Sequence, residues 1–311
     1  MTDIAAAAQL RPSTDVAGDP AELRRRLGED GYLFFPALLE RHRVAEAARD
    51  AMAVMADQGW LVPGSGPGEA MPRAPLPAIY GPEWRVLYVA VHGLESLHRL
   101  GFDPGLQSSL ATLMGPDVFV LPRRIVRLVG PASAGGPEIG VQPHRDYEGF
   151  RIPDMLISWI PLVECSAGSG ALWVCRGSHR DGMAPCPPFT PGDARWQTAS
   201  YRPGDVLVLH CYSAHASAPN TGERFRLSID FRWQRASYPV QRSMLDSDVN
   251  IDWSVLAGDW RTRRWISVPD GITLTDDGPG WEEVRDCPPS ELFPVRRHHP
   301  VFRWRLPRRQ A

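Results

Sequence analysis

The sequence predicts an α+β fold with a mainly β core, in which leading helices pack on an antiparallel sandwich or barrel. Three observations carry this expectation. Helical signals fill the chain as far as Met114, short strand-like runs take over from Val118, and one late strand alternates cleanly between apolar and polar residues.

The elements follow in order. Residues 1–18 are expected to be disordered. Asp19-Pro20-x-Glu22 reads as a helix start, with Asp at the cap, Pro in the first turn and Glu22 reaching back. That helix should stop near Gly28 or Gly31. A second helix is expected from about Leu38 to Asp57, ended by Gly59. The stretch "VPGSGPGEAMPRAPLPAIYGP" over 62–82 is a Pro/Gly loop whose glycines do not match a phosphate-binding spacing. Two shorter helices fit 92–100 and 103–114. The strand-like runs are "VFVLPRRIVRLV", "MLISWIPLV", "GALWVCRG", "DVLVLH" and "RFRLSIDFRW". In the last, Phe225, Leu227, Ile229, Phe231 and Trp233 share one face, and Arg224, Arg226, Ser228, Asp230 and Arg232 share the other. The tail from 246 holds five Trp (253, 260, 265, 281 and 304), too apolar for a free linker. It is expected to pack on the β core, giving one domain over 19–311 with its core at about 118–235 and an extension over 246–311.

Composition narrows the function. The formal charge of −2 over 311 residues gives no bulk reason to bind nucleic acid or an anionic membrane. Five cysteines (165, 175, 186, 211 and 287) include no Cys-x-x-Cys, so neither a disulfide framework nor a zinc ribbon is expected, and a reducing cytoplasm fits. The N-terminus reads as neither a signal peptide nor a membrane anchor. All 34 basic residues are Arg. Schiff-base catalysis, a Walker-A lysine and a kinase ATP lysine all need an amine, and are excluded.

The tripeptide His-Arg-Asp occurs twice, at 144–146 and 179–181. Chance alone supplies about one His-x-Asp/Glu in a chain of this composition, so the motif decides nothing by itself. The second copy lies in a Gly-Ser turn with no third ligand close by in sequence, which reads as a buried or capping His179. The first copy follows a strand, where residues two apart project to one side, so His144 and Asp146 can face one ion while Arg145 points away. A non-haem iron(II) site needs two His and one carboxylate on a single face. The second His has to come from a distant strand, and the candidates are His210, which ends an apolar strand and reads as core or rim, and His215, in the polar turn beyond it. Arg226, on the polar face of its strand, is costly to bury unless it meets an anion, and it can grip a carboxylate with Ser228 beside it.

The run "PHRDYEGF…WIPLVECSAGSGALWVCRGSH…RPGDVLVLHCYSAHASAPNTGERFRLS", with "GEDGYLFFPALLE" before it, resembles the phytanoyl-CoA dioxygenase family of iron(II)/2-oxoglutarate oxygenases over roughly residues 21–235. The resemblance implies a double-stranded β-helix, a jelly-roll or cupin-like barrel. It implies His144, Asp146 and His215 as ligands of Fe(2+), Arg226 as the partner of the 2-oxoglutarate C5 carboxylate, and Ser228 beside it. It further implies that O2 and 2-oxoglutarate are consumed, that succinate and CO2 form, and that an unactivated C–H of a small molecule is oxidised. By the same resemblance, a carboxylate at Asp146 favours hydroxylation, desaturation or ring closure over halogenation, with hydroxylation the expected outcome. The second copy falls on the family's Pro-Gly-Ser-His turn, where Arg176 stands in place of proline.

Weaker candidates complete the reading. Gln142 either hydrogen-bonds the co-substrate or faces solvent. Trp159 walls the co-substrate pocket or belongs to the core. Arg127 serves the co-substrate or is a surface charge. Trp253, Trp260 and Trp265 are expected over or beside the open end of the barrel, and "RRHHPVFRWRLPRR" is a candidate anion-recognising tail, or else a solvated face. Two alternatives stay open: a silent β-barrel that binds a ligand without turnover, and a cupin-like metalloenzyme with no use for 2-oxoglutarate.

Overall fold

A computed structural model describes residues 8–64, 69–138, 140–190 and 192–276. Helix α1 (Pro20–Asp30) begins where Asp19 accepts the amides of Ala21 and Glu22, and ends at Gly31 with φ of 80°. Glu22 does not reach back to the cap, because it is drawn to Arg25 and Arg26 instead. Helix α2 is Arg41–Asp57. Helix α3 (Pro82–His92) fills the stretch left without an element between the loop expected over 62–82 and the helix expected over 92–100. Its helical spacing of Leu87, Tyr88, Val91 and His92, all buried, lies directly behind the Gly81-Pro82 turn signal that masked it. Helices α4 (Glu95–Arg99) and α5 (Pro104–Met114, capped by Asp103) close the helical layer.

Ten of the described strands form two sheets, and a short parallel pair, Val240–Gln241 with Leu274–Thr275, stands apart from them. The ten are β1 (Ala8–Gln9), β2 (Tyr32–Phe35), β3 (Val118–Val120), β4 (Ile125–Val129), β5 (Leu156–Pro161), β6 (Leu172–Cys175), β7 (Trp196–Thr198), β8 (Val206–His210), β9 (His215–Ser217) and β10 (Arg226–Arg235). The larger sheet has the order β2-β8-β5-β10-β3, with β4 pairing the first half of β10, and the smaller has the order β1-β7-β6-β9. Only β1 with β7 is a parallel pair among these. The segment 8–18, expected to be disordered, is therefore structured: β1 extends the smaller sheet, Leu10 is buried, and a turn at Thr14–Val16 leads into α1.

Strand alternation divides the interior. Leu33, Leu156, Val208, Leu227, Ile229 and Trp233 face the helices and share a core with Leu23, Val44, Met52, Leu87 and Leu110. The opposite set, including Phe34, Trp159, Leu207 and Leu209, packs with Val174 and Tyr201 between the two sheets. Both faces of β10 are buried, so its polar set of Arg226, Ser228, Asp230 and Arg232 is enclosed rather than solvated. Trp173, Trp196 and Ala216 form a third cluster on the outer face of the smaller sheet.

Candidate metal centre and co-substrate pocket

His144 and His215 are brought together by backbone. His144 N donates to His215 O at 3.1 Å and His215 N donates to His144 O at 3.0 Å, an antiparallel bridge that places the two rings 4.2 Å apart. Arg145 is extended, and Asp146 opens the one-turn helix α6 (Asp146–Phe150), so the Asp146 side chain returns to the side of His144. Asp146 Oδ1 lies 3.8 Å from His144 Nε2 and 3.7 Å from His215 Nε2. One ligand atom from each residue falls within 4.8 Å of the others, and these three form a group that could hold a metal.

The protonation states fit a metal. Each imidazole donates Nδ1–H to a main-chain carbonyl, His144 to Gln142 at 2.8 Å and His215 to Ser213 at 3.1 Å, which leaves the Nε2 lone pairs facing Asp146. Burial, helped by the neighbouring His215, pushes His144 down to about 4, and burial also pushes His215 down, so both rings are neutral at pH 7. Burial works to raise Asp146, but the Arg232 guanidinium and the two imidazoles hold it below the usual carboxylate range. Two neutral nitrogens and one carboxylate on a single face make a donor set suited to iron(II), with coordination positions left open.

Arg226 lines the same pocket, together with Trp159, Arg127 and Asp230. Its guanidinium is buried, Nη1 donates to Ser228 Oγ at 2.7 Å, and Nε has no protein partner among the described residues. Burying that donor unmet is unfavourable by about 1–3 kcal/mol, which an arriving carboxylate would recover. Trp159 is buried against Tyr201 and its indole nitrogen is likewise unmet. Arg127 is not a surface charge: Nε pairs with Asp230 at 3.1 Å, and the residue lies on the wall shared with a larger groove. That groove holds about 930 Å³ and is lined by Trp84, Tyr88, Val89, Val141 and Asp248 among others.

Of three further expectations, those for Gln142 and for the tail Trp need correction, while the reading of His210 as core agrees with the structure. The Gln142 side chain is exposed and absent from the pocket wall, where its neighbour Val141 stands instead; the Gln142 carbonyl accepts the Nδ1–H of His144. His210 is buried and its Nδ1 accepts from Tyr212 N, so it is core. Trp253, Trp260 and Trp265 do not line the groove. Trp253 donates to Leu245 O, Trp260 to Gly93 O and Trp265 to Glu95, while Trp253 and Trp260 pack on the buried imidazole of His98. They fasten the tail to the helices, and it is Asp248 and Val249 that reach the groove. Trp281, Trp304, Cys287 and the Arg-rich run lie outside the described residues.

Sequence reasoning missed the groove-lining helix α3 and gave no role to Asp230 and Arg232. The signal for those two was present, since both lie on the polar face of a strand whose apolar face is fully committed to the core.

Known proteins resemble this chain in sequence and in fold. The chain is 27% identical over 249 residues to the 1-deoxypentalenic acid 11-beta-hydroxylase of Streptomyces exfoliatus, covering 72% of this chain and 84% of that enzyme. The enzyme of the same name from Streptomyces arenae is 26% identical over the same length. Among solved structures, EctD from S. alaskensis with 2-oxoglutarate and 5-hydroxyectoine superposes with a TM-score of 0.53 at 18% identity, covering 88% of this chain and 94% of that one. The epimerase SnoN from nogalamycin biosynthesis, in complex with Fe3+, alpha ketoglutarate and nogalamycin RO, gives 0.50 at 23% identity, covering 70% and 84%. At these identities the structural likeness speaks to fold, a mixed helix-and-sheet architecture with a mainly β core. The phytanoyl-CoA dioxygenase family model matches residues 27–228, about two thirds of the sequence. The chain belongs to the phytanoyl-CoA dioxygenase family, and so to the iron- and 2-oxoglutarate-dependent oxygenases.

Proposed function

We propose that this protein hydroxylates an unactivated C–H bond of a small molecule of secondary metabolism, consuming O2 and 2-oxoglutarate and releasing succinate and CO2. The observation that carries the reading is the convergence of His144, Asp146 and His215 in one pocket with a buried, incompletely paired Arg226. His144, Asp146 and His215 hold Fe(2+). Arg226 and Ser228 hold the distal carboxylate of 2-oxoglutarate, and Trp159 walls the chain between its two ends. Bound iron(II) with 2-oxoglutarate and O2 supplies the oxidising power.

The protein's own part is placement and exclusion. The Gln142 and Ser213 carbonyls fix the imidazole tautomers, so no proton has to leave before metal binds. Leu172, Leu209 and Trp159 keep the pocket apolar around its few charges. The groove has the size of a small-molecule site, and Arg127 stands where groove and pocket meet. The two sheets correspond to a double-stranded β-helix, with the tail over 246–276 part of one oxygenase domain spanning 19–311. We place the protein in the cytoplasm, with neither nucleic acid nor membrane as partner. Cys165, Cys175, Cys186 and Cys211 are free thiols, and no described helix is long and apolar enough to cross a membrane.

Anaerobic addition of 2-oxoglutarate to the iron(II)-loaded protein should give a weak visible charge-transfer band. Succinate release should then rise with a matching substrate in a screen that includes 1-deoxypentalenic acid, the compound named for the Streptomyces relatives. Iron binding without the band would favour a metalloenzyme that does not use 2-oxoglutarate, and no metal binding at all would leave a ligand-binding barrel.

A further inference from the structure

Arg232 is fully buried on the inward face of β10, and none of its three guanidinium nitrogens makes a hydrogen bond among the described residues. A cation in that position is strongly unfavourable unless a charge or a polarisable surface compensates it. Two groups do so, and both belong to α6. Arg232 Nη2 lies 3.5 Å from Asp146 Oδ2, and the guanidinium carbon lies 4.2 Å from the centre of the Phe150 ring. The first and last residues of that single helical turn thus meet the same cation.

The two oxygens of Asp146 are divided between different neighbours. Oδ1 faces His144 Nε2 and His215 Nε2, while Oδ2 faces Arg232. We propose that Arg232 is a positioning residue: it holds the outer oxygen of Asp146, so that the carboxylate presents one oxygen to the metal and cannot rotate into a two-oxygen grip. Arginine suits this task because its planar, permanently charged group keeps its orientation when stacked on an aromatic ring. Lysine would bring the charge without the plane. A two-oxygen Asp146 would occupy a further coordination position, in competition with 2-oxoglutarate or O2. Arg232 thereby protects the open face of the site without touching substrate.

The inference rests on the metal-site reading, and a cobalt(II) titration separates the two. Co(II) stands in for Fe(II) without oxidation, and its visible spectrum reports coordination number and ligand geometry. The parent protein should bind one Co(II); failure to bind overturns both the metal site and the role of Arg232. In Arg232→Met, which removes the charge at similar volume, Co(II) affinity should fall by roughly 10–100-fold, the usual cost of losing a group that orients a metal ligand. The visible spectrum should also change, and Arg232→Lys should recover part of the affinity but not the parent spectrum. An Arg232→Met protein that binds Co(II) with parent affinity and spectrum, whatever its melting temperature, overturns the proposal while leaving the metal site standing. If Arg232→Met does not fold, Phe150→Leu decides. It removes the stacking surface without touching a ligand, and should weaken Co(II) binding several-fold with a shifted spectrum; no change in either overturns the proposal.

Discussion

The two His-Arg-Asp copies carry the same three side chains to opposite ends. In the first, Arg145 is extended and buried toward Tyr212 O, Glu148 and Cys186, and the flanking His144 and Asp146 face His215. In the second, Gly177 turns the chain with φ of 74°, and Ser178–Asp181 forms a tight helical turn. His179 is buried there, its Nε2–H donating to Gly28 O at the end of α1. Arg176, in the position where the resemblance implies proline, pairs with Glu29 and Asp30. Yet the second copy is connected to the site. Ser178 Oγ accepts from Ala214 N, Cys175 N donates to Ala214 O, and Ser213 Oγ donates to Gly31 O. The copy without ligands holds the turn that presents His215. A tripeptide acquires chemistry from the backbone around it.

The sharpest break of this comparison is a pair of deletions. His144→Ala or Asp146→Ala should abolish succinate formation and lower metal affinity by about 100-fold or more, whereas His179→Ala should keep stoichiometric metal binding and measurable turnover. The opposite pattern would exchange the roles of the two copies. Next in size, Arg226→Leu should weaken 2-oxoglutarate binding by roughly 10–100-fold, the loss of a charge-assisted contact of about 1.5–3 kcal/mol, and leave metal titration unchanged. Calorimetry on the metal-loaded protein measures both.

Smaller effects belong to the second copy. A Cβ at Gly31 would lie 2.5 Å from His179 Nδ1 and 2.6 Å from Ser213 Oγ, at a φ of 80°. Gly31→Ala should therefore destabilise by about 1–3 kcal/mol, read by denaturant unfolding. Metal affinity should fall less than stability does. The least effect is one of slope. Burial pushes His179 down to about 4 from an ordinary 6.5, so between those values the unfolded chain takes up a proton that the folded chain refuses. Its contribution is complete above about pH 6.5 and is lost as pH falls toward 4. His179→Gln should flatten the decline of stability over that window, and an unchanged slope would remove His179 from the account.

Much of this was legible in the sequence because strand alternation is a local property. Arg226, Ser228, Asp230 and Arg232 share a face by period alone, and Asp19-Pro20 announces α1 within three residues. What was illegible depends on where elements are packed. The indoles of Trp253, Trp260 and Trp265 are equally suited to a pocket mouth and to a helix surface, and partners on α3 and α4 decide between them, the buried His92 and His98 for the first two and Glu95 for the third. Helix α3 was hidden by Gly81-Pro82, a turn signal that also opens helices. The inward course of Arg127 depends on Asp230 across the β4–β10 pair, two residues 103 positions apart.

The reciprocal hydrogen bonds between His144 and His215 make ligand spacing a matter of ladder register. Slipping this pairing by one residue would bring Ala214 or Ala216 opposite His144, and would turn His215 toward the outer cluster of Trp173 and Trp196. Metal affinity is then inherited from strand pairing, in the manner of a key cut by its lock. For protein engineering the permissible edits differ sharply within a few tens of residues. A single insertion in the 211–214 turn should erase the site, while one near the exposed Thr190, between β6 and β7, leaves the ligand register untouched.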